Sequence, residues 1–419
     1  MEDPVRMERF VSVLGLAVLV GIAVLFSTDR RRIDWKLVGI GLTLQIVFAA
    51  FVHLFPPGRV FLGWIRDGAV TLLSYTEDGS RFLFGPLMEV DGPVGFVFAF
   101  RVLPVIIFFS SLMAVLYHMG IMQRVVLYLA RGMKKAMGVS GAESLATAAN
   151  VFIGQTEAPL VVRPYIGKMT RSELMVLMTG GMATIAGSVL AGYIAFGIDA
   201  GHLLAASVMS APAALVMARV LVPETEESLT AGSVEIADEH DTVNVIDAAA
   251  DGASQGLKLA LNVGAMLLAF IALVALVNAL LGVLAGWLAA IGLTAWPGSL
   301  QEIFGIILWP VAWSLGVPAE DCFTFASLLG QKLAINEFVA FAELGRIAAE
   351  GGMSDRAVTI ATYSLCGFAN FSSISIQIGG ISALAPERRH DLSRLGLRAM
   401  LGGALASSMT AAVAGIMLS

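Results

Sequence analysis

The stretches Gly154-Gln155-Thr156-Glu157-Ala158-Pro159 and Ala334-Ile335-Asn336-Glu337-Phe338 each set a carboxylate beside amide or hydroxyl groups in an otherwise apolar chain. A carboxylate surrounded by hydrocarbon is costly unless it faces protein or a watery cavity, so two of them among hydrophobic segments point to a functional site inside a membrane. The plainer reading is a pair of structural glutamates that tie helices together. The surrounding chain decides between the two. Of 419 residues, 57% are hydrophobic and 14% charged, and the mean hydropathy is +0.83. Soluble domains carry roughly 25% charged residues. The chain therefore reads as an all-α polytopic membrane protein.

A span needs about 20 mainly apolar residues, and the stretches 10–28, 37–55, 94–118, 174–198, 203–222, 257–284, 357–382 and 396–418 qualify. The first follows a mixed-charge start without an Ala-x-Ala end, so it is expected to stay in the protein as a span rather than be cleaved as a signal peptide. Lys and Arg gather at Arg30, Arg31, Arg32 and Lys36, at Arg131, Lys134 and Lys135, before the fourth span and before the last. Under the positive-inside rule these loops are cytoplasmic and both termini face outward.

Residues 142–165 and 321–347 are too apolar for loops and too interrupted to cross. Each reads as a re-entrant hairpin whose polar string lies at the tip, where irregular backbone is tolerated because it is buried in protein or lines water. The span after each hairpin is broken: Thr184-Ile185-Ala186-Gly187-Ser188 interrupts 174–198, and Phe368-Ala369-Asn370-Phe371-Ser372-Ser373 interrupts 357–382. Opposite entry of the hairpins, each followed by a broken helix, is the pattern of an inverted-repeat secondary transporter. Either break alone is ordinary small-residue packing; the joint pattern carries the reading. The chain then divides into N-terminal spans and an interfacial helix (1–90), a first repeat (91–222), a cytoplasmic acidic loop (223–256) and a second repeat (257–419). Residues 57–82, with Trp64, Arg66, Asp67 and Tyr75, suit an amphipathic interfacial helix. Residues 285–320, with Trp287, Trp296, Trp309 and Trp313, suit a subunit interface or the outer membrane face.

The motif from Asn150 through Gln155, Thr156 and Glu157 to Arg163-Pro164-Tyr165 resembles the first re-entrant hairpin of the concentrative nucleoside transporters. Asn336-Glu337-Phe338-Val339-Ala340-Phe341 resembles that family's second hairpin, and Cys366-Gly367-Phe368-Ala369-Asn370-Phe371-Ser372-Ser373-Ile374 its seventh span. The resemblance runs from about residue 90 onward, and the span count matches the bacterial form. It implies a homotrimer in which a mobile domain carries substrate past a fixed scaffold, importing nucleosides with sodium across the bacterial inner membrane. Carried over residue by residue, Gln155, Thr156 and Glu157 would recognise the nucleobase, with Val189 and Phe368 as apolar walls. Glu337, Asn370 and Ser373 would bind the ribose. The sodium ion, the one cofactor implied, would be held near Asn150, the carbonyls of Ile153 and Ile185, and the hydroxyl of Thr184.

Proton coupling through Glu157 or Glu337 is the alternative for the ion. An intramembrane enzyme using the two glutamates as acid and base is the alternative from another class, but no nucleophile or metal set accompanies them. Gly330-Gln331-Lys332 lacks the upstream glycine of a phosphate loop. The net charge of −6 and the lack of any basic cluster interleaved with aromatics argue against a nucleic-acid partner. His53, His118, His202, His240 and His390 sit at span ends or in loops without metal-ligand spacing, and are expected at the interface or in solvent. Arg101 is expected to snorkel. Cys322 and Cys366 are expected to be packing residues.

Overall fold

The computed structural model describes residues 4–88, 97–230, 242–293 and 296–418. The first residues of the expected third span (94–96) and the acidic residues Glu235, Asp238, Glu239 and Asp241 lie outside the described residues. The helices in chain order are α1 (Pro4–Leu25), α2 (Trp35–Leu54), α3 (Pro56–Phe84), α4 (Phe98–Arg101), α5 (Leu103–His118), α6 (Ile121–Met137), α7 (Gly141–Asn150), α8 (Ala158–Val161), α9 (Arg163–Ile166), α10 (Arg171–Ala183), α11 (Gly187–Ala195), α12 (Ala200–Leu221), α13 (Val245–Ala290), α14 (Leu300–Ser314), α15 (Cys322–Ala334), α16 (Glu337–Ala349), α17 (Asp355–Leu365), α18 (Phe371–Leu384) and α19 (Arg389–Met417). Among the described residues there is no strand. The all-helical polytopic architecture expected from the sequence is the one observed.

Among the described residues seven segments are long and apolar enough to cross a membrane, and the remaining expected span, 357–382, is cut into α17 and α18. Burial sorts the seven. The most apolar windows of Arg171–Ala195, Ala200–Leu221 and Pro386–Met417 are 83%, 78% and 72% buried, whereas those of Met7–Leu25, Trp35–Leu54, Phe98–His118 and Val245–Ala290 are 28%, 33%, 22% and 6% buried. Hydrophobic helices exposed along their length are stable only against lipid, with their backbone groups satisfied internally. α10, α12, α17 and α19 pack together at the centre, while α13 lies along α5. That last contact is made by small residues: a Cβ on Gly252 would come within 2.5 Å of the Ala114 Cβ, and one on Gly256 within 2.7 Å of the Ser110 Cβ. Such a small-xxx-small seam brings two backbones together without any hydrophobic drive between helices.

Local signals position the interrupted elements. Ser140 and Glu143 form a capping box that starts α7, and Thr170 and Glu173 form one that starts α10; each satisfies two backbone N–H groups that the first turn leaves orphaned. α10 stops where Thr184 turns extended (φ −121°, ψ 172°) and resumes as α11 at Gly187. α17 stops at Cys366, and the chain passes Gly367 at φ +145° before Asn370 caps α18. The two breaks touch: a Cβ on Gly367 would lie 2.8 Å from the Met182 carbonyl oxygen and 3.0 Å from the Ala183 carbonyl carbon.

Several expectations are corrected. The acidic segment 223–256 is not a free solvated loop. α13 begins inside it at Val245, because the Asn244 side chain accepts from the N–H groups of Ile246 (3.0 Å) and Asp247 (2.9 Å). Glu224 is half-buried, pairing with Arg219 at 3.4 Å and accepting from the Thr170 hydroxyl at 2.7 Å. Ser228 donates to Glu173 at 2.6 Å. Within 285–320, the residues to Ala290 continue α13, and α14 packs against α15, the first helix of the second hairpin. Arg101 does not snorkel; its Nε donates to the Met88 carbonyl at 3.1 Å. His53 and His202 are not solvent residues. Their rings stack at 5.6 Å, and the Tyr363 hydroxyl lies 3.1 Å from His53 Nε2 and 3.3 Å from His202 Nδ1. Both cysteines are buried and free.

Candidate functional site

The first hairpin reaches its tip through α7, whose last residue is Asn150, and leaves it through the short turns α8 and α9. Pro159 in the first turn of α8 fixes the exit, since its missing N–H is one the helix start would leave unpaired anyway. A Cβ on Gly154 would meet Glu157 Oε2, the far end of an exposed side chain, and stand 3.3 Å from the Ala186 Cβ in the first helix break. The tip is pinned to the first broken helix by the Gly187 N–H, which donates to the Phe152 carbonyl at 2.9 Å. The second hairpin turns at Ile335 and restarts at Asn336, whose side chain accepts from the Val339 N–H at 3.0 Å. This places Glu337 in the first turn of α16, where the helix dipole favours negative charge.

From these supports a continuous polar chain forms across four elements. Gln377 on α18 donates to Gln155 Oε1 (3.0 Å), and Gln155 Nε2 donates to Ser373 Oγ (3.0 Å). The Ser373 N–H donates to Asn370 Oδ1 (2.9 Å), while Asn370 Nδ2 donates to Glu337 Oε2 (3.0 Å). The Tyr193 hydroxyl, from α11, donates to Glu337 Oε1 (3.2 Å). All six side chains are buried, Glu337 at 4% exposure and Tyr193 at 0%. Both hairpins and both broken helices therefore meet at one place. A carboxylate has about four acceptor sites, so two oxygens that each hold one side-chain donor retain capacity for the vicinal hydroxyls of a sugar.

The structure brings Gln155, Glu337, Asn370 and Ser373 together as expected in sequence. Val189 is buried on the first turn of α11, and Phe368 is half-buried inside the α17–α18 break. Thr156 and Glu157 are exposed, so Glu157 is not the buried partner of Glu337 that the apolar context suggests. At the same turn Gln155 is buried by its bonds to Ser373 and Gln377, while Thr156 and Glu157 fall on the outer side. Tyr193 and Gln377 were missed. Tyr193 stacks on Phe341 at 4.3 Å and meets Phe338 edge-on at 4.9 Å, which fixes its hydroxyl on Glu337. Gln377 also donates to the Met178 carbonyl at 3.0 Å, and a Cβ on Gly181 would come within 2.7 Å of its amide nitrogen. The available signal was a Tyr and a Gln in half-helices adjoining breaks.

A set of oxygens lies beside this chain. Asn150 is 1% exposed and donates to the Ala146 carbonyl at 3.0 Å, but its Oδ1 has no hydrogen-bond partner among the described residues. Its amide nitrogen faces Gly180, where a Cβ would stand 3.1 Å away, one turn before Thr184. The Thr184 hydroxyl donates to the Gly180 carbonyl at 2.9 Å and keeps its lone pairs. A buried, unpaired amide oxygen on a helix that faces α10 one turn before its break, where a hydroxyl and freed carbonyls lie, suits a hard cation. Among the described residues no group of three or more His, Cys, Asp or Glu could hold a transition metal.

Comparison with known proteins accords with this arrangement. Family profiles described as Na+ dependent nucleoside transporter N-terminus, nucleoside recognition gate, and Na+ dependent nucleoside transporter C-terminus match residues 14–87, 99–200 and 202–415. A transporter of Haemophilus influenzae is 46% identical over 411 residues, covering 97% of both chains. Sodium/nucleoside cotransporter 1 of Mus musculus is 45% identical over 426 residues, covering 98% of this chain and 64% of the mouse protein. Among solved structures, CNTnw in an inward-facing substrate-bound state superposes with a TM-score of 0.90 at 45% identity, covering 97% of each chain. A variant of CNTnw in an outward-facing state superposes with a TM-score of 0.92 at 45% identity, covering 98% of each.

Proposed function

Because the chain belongs to the concentrative, Na+ dependent nucleoside transporter family, and is thus a multi-pass membrane transporter rather than an enzyme, we propose that it imports nucleosides of the uridine type, and purine nucleosides as well, by symport with sodium. The observation that carries the reading is the buried chain from Gln155 through Ser373 and Asn370 to Glu337, which joins the two hairpins. Glu337, Asn370 and Ser373 bind the ribose hydroxyls. Gln155, Thr156 and Glu157 read the base edge, the last two from the exposed tip, between the apolar walls of Val189 and Phe368. A buried site built for hydroxyls rejects ligands that lack them, because its own polar groups are then left unpaired.

Sodium fits the oxygens of Asn150, Ile153, Thr184 and Ile185, and when bound it would supply the positive charge those acceptors attract and couple transport to its gradient. This chain's own part is to place two of the ion's oxygens, those of Asn150 and Ile153, on the hairpin that carries the base reader Gln155, and the other two in the break that faces it, so that closing one shapes the other. The topology that goes with the reading is a homotrimer in a bacterial inner membrane, both termini outside, with hairpins 142–165 and 321–347 entering from opposite faces. Residues 91–222 and 257–419 then form the two repeats, after spans and interfacial helix 1–90 and around a cytoplasmic segment 223–256. Substrate crosses as the hairpin domain slides past the scaffold, the elevator form of alternating access. The test is counterflow in proteoliposomes: labelled uridine exchanges against unlabelled uridine, and net uptake follows an inward sodium gradient. Uptake that ignores sodium and collapses with a proton gradient would overturn the ion; uptake without counterflow would overturn the carrier.

A further inference from the structure

Lys332 is 0% exposed, near the end of the first helix of the second hairpin. Its Nζ donates to the Ser364 carbonyl at 2.8 Å and to Ser407 Oγ at 2.8 Å, and Ser407 in turn donates to the Ala404 carbonyl at 3.1 Å. A buried ammonium is costly in hydrocarbon unless it is well paired, and a Met or Leu would fill the same space at less cost. No role follows for it from the nucleoside chain described above. Its position has a counterpart. In the first repeat the hairpin helix α7 packs on α10, the half-helix before the break, and on the following long helix α12; in the second, α15 packs on α17, and Lys332 itself bonds to α19. Asn150 stands at the end of α7 facing α10 one turn before its break, and Lys332 stands at the end of α15 bonded to α17 just before Cys366.

The two sites are chemical complements. In the first, buried oxygen awaits a positive charge: Asn150 Oδ1 is unpartnered among the described residues. In the second, the acceptors already hold one, covalently attached. We infer that the Lys332 ammonium is a tethered cation, the second repeat's fixed equivalent of the coupling ion, and that it clamps the second hairpin to α17 and α19 whether or not sodium is present. The first hairpin, held without the ion by Gln155, by the Gly187–Phe152 bond and by the Arg219–Glu143 pair at 2.7 Å, then gains a further attachment at Asn150 only when sodium is bound, whereas the second has its cation at all times. Lys332 is thus a positioning residue for Glu337, acting through the hairpin that both share. The ion half of this contrast rests on the sodium reading given above; the clamp itself does not.

The experiment compares full-length wild type, Lys332→Ala, which opens a space the size of a small ammonium, and Lys332→Met, which fills it without charge. Thermal unfolding midpoints are recorded with and without sodium and methylammonium, and uridine binding by calorimetry. The expected result is a Lys332→Ala midpoint below wild type that methylammonium raises selectively, with uridine affinity at least about tenfold weaker and recovered alongside it. Lys332→Met is expected to bind uridine as weakly and to gain nothing from methylammonium. A Lys332→Ala protein indifferent to methylammonium, or either variant binding like wild type, overturns the clamp. Should Lys332→Ala not assemble, Lys332→Met decides: wild-type uridine affinity overturns the proposal, and weakened affinity with an unchanged sodium midpoint upholds it. Sodium-independent wild-type binding would sink the symport reading alone, since the methylammonium effect on Lys332→Ala needs neither sodium nor uridine.

Discussion

The two hairpins carry the same parts in different states of completion. The second is closed on itself: Asn336 caps its return helix, Lys332 makes two hydrogen bonds to α17 and α19, and Glu337 is buried under Tyr193 and Asn370. The first is open. Asn150 keeps a bare buried oxygen, and Thr156 and Glu157 stand exposed at a tip held to α11 by one backbone bond from Gly187 to Phe152. What differs is the chemistry where each first hairpin helix ends, a tethered charge at Lys332 against an unpaired oxygen at Asn150. On the proposed function, this asymmetry gives one arm that responds to the ion and one that keeps the sugar site in register.

The sharpest attempt to break the contrast is at Glu337. Glu337→Gln places an amide between two donors, Tyr193 and Asn370, so at least about a hundredfold loss of uridine transport is expected with assembly intact; chromatography and uptake measured together check it, and normal uptake would remove the sugar role. Next comes the junction of the breaks. Gly367→Ala forces a Cβ at φ +145° against the Met182 carbonyl, and about 1–3 kcal/mol of destabilisation is expected, read as a lowered unfolding midpoint. On the ion arm, Asn150→Ala or Thr184→Ala should raise the sodium concentration for half-maximal uptake by about tenfold, the effect of about 1.4 kcal/mol. Withdrawing sodium should weaken uridine binding to wild type but leave that of these variants little changed. The smallest effect is expected for Tyr193→Phe, which keeps the stack on Phe341 and deletes one hydrogen bond, weakening uridine binding by about three- to tenfold.

Much of this was legible in the sequence because the membrane writes long messages: apolar runs gave the spans, and polar strings inside them gave the tips and breaks. Gln155, Glu337, Asn370 and Ser373 could be named because each sits in a short string of unusual composition. Tyr193, Gln377 and the His53–His202–Tyr363 group could not, since their partners come from helices far apart in the chain and only tertiary crossing unites them. Glu143 and Glu173 were readable and passed over: Ser140-x-x-Glu143 and Thr170-x-x-Glu173 are helix-start patterns. The extent of α13 was misjudged because acidic residues before it look like loop, while Asn244 and packing on α5 extend the helix through them.

The back-to-back contact of Gly367 with Met182 and Ala183 has a mechanical corollary. Two interruptions in backbone contact resist being displaced one at a time, so on the proposed carrier reading the pocket they frame travels as a single cassette. Any leak path would have to open around its rim, and a mutation that loosens this knuckle should uncouple the two halves before it empties the pocket.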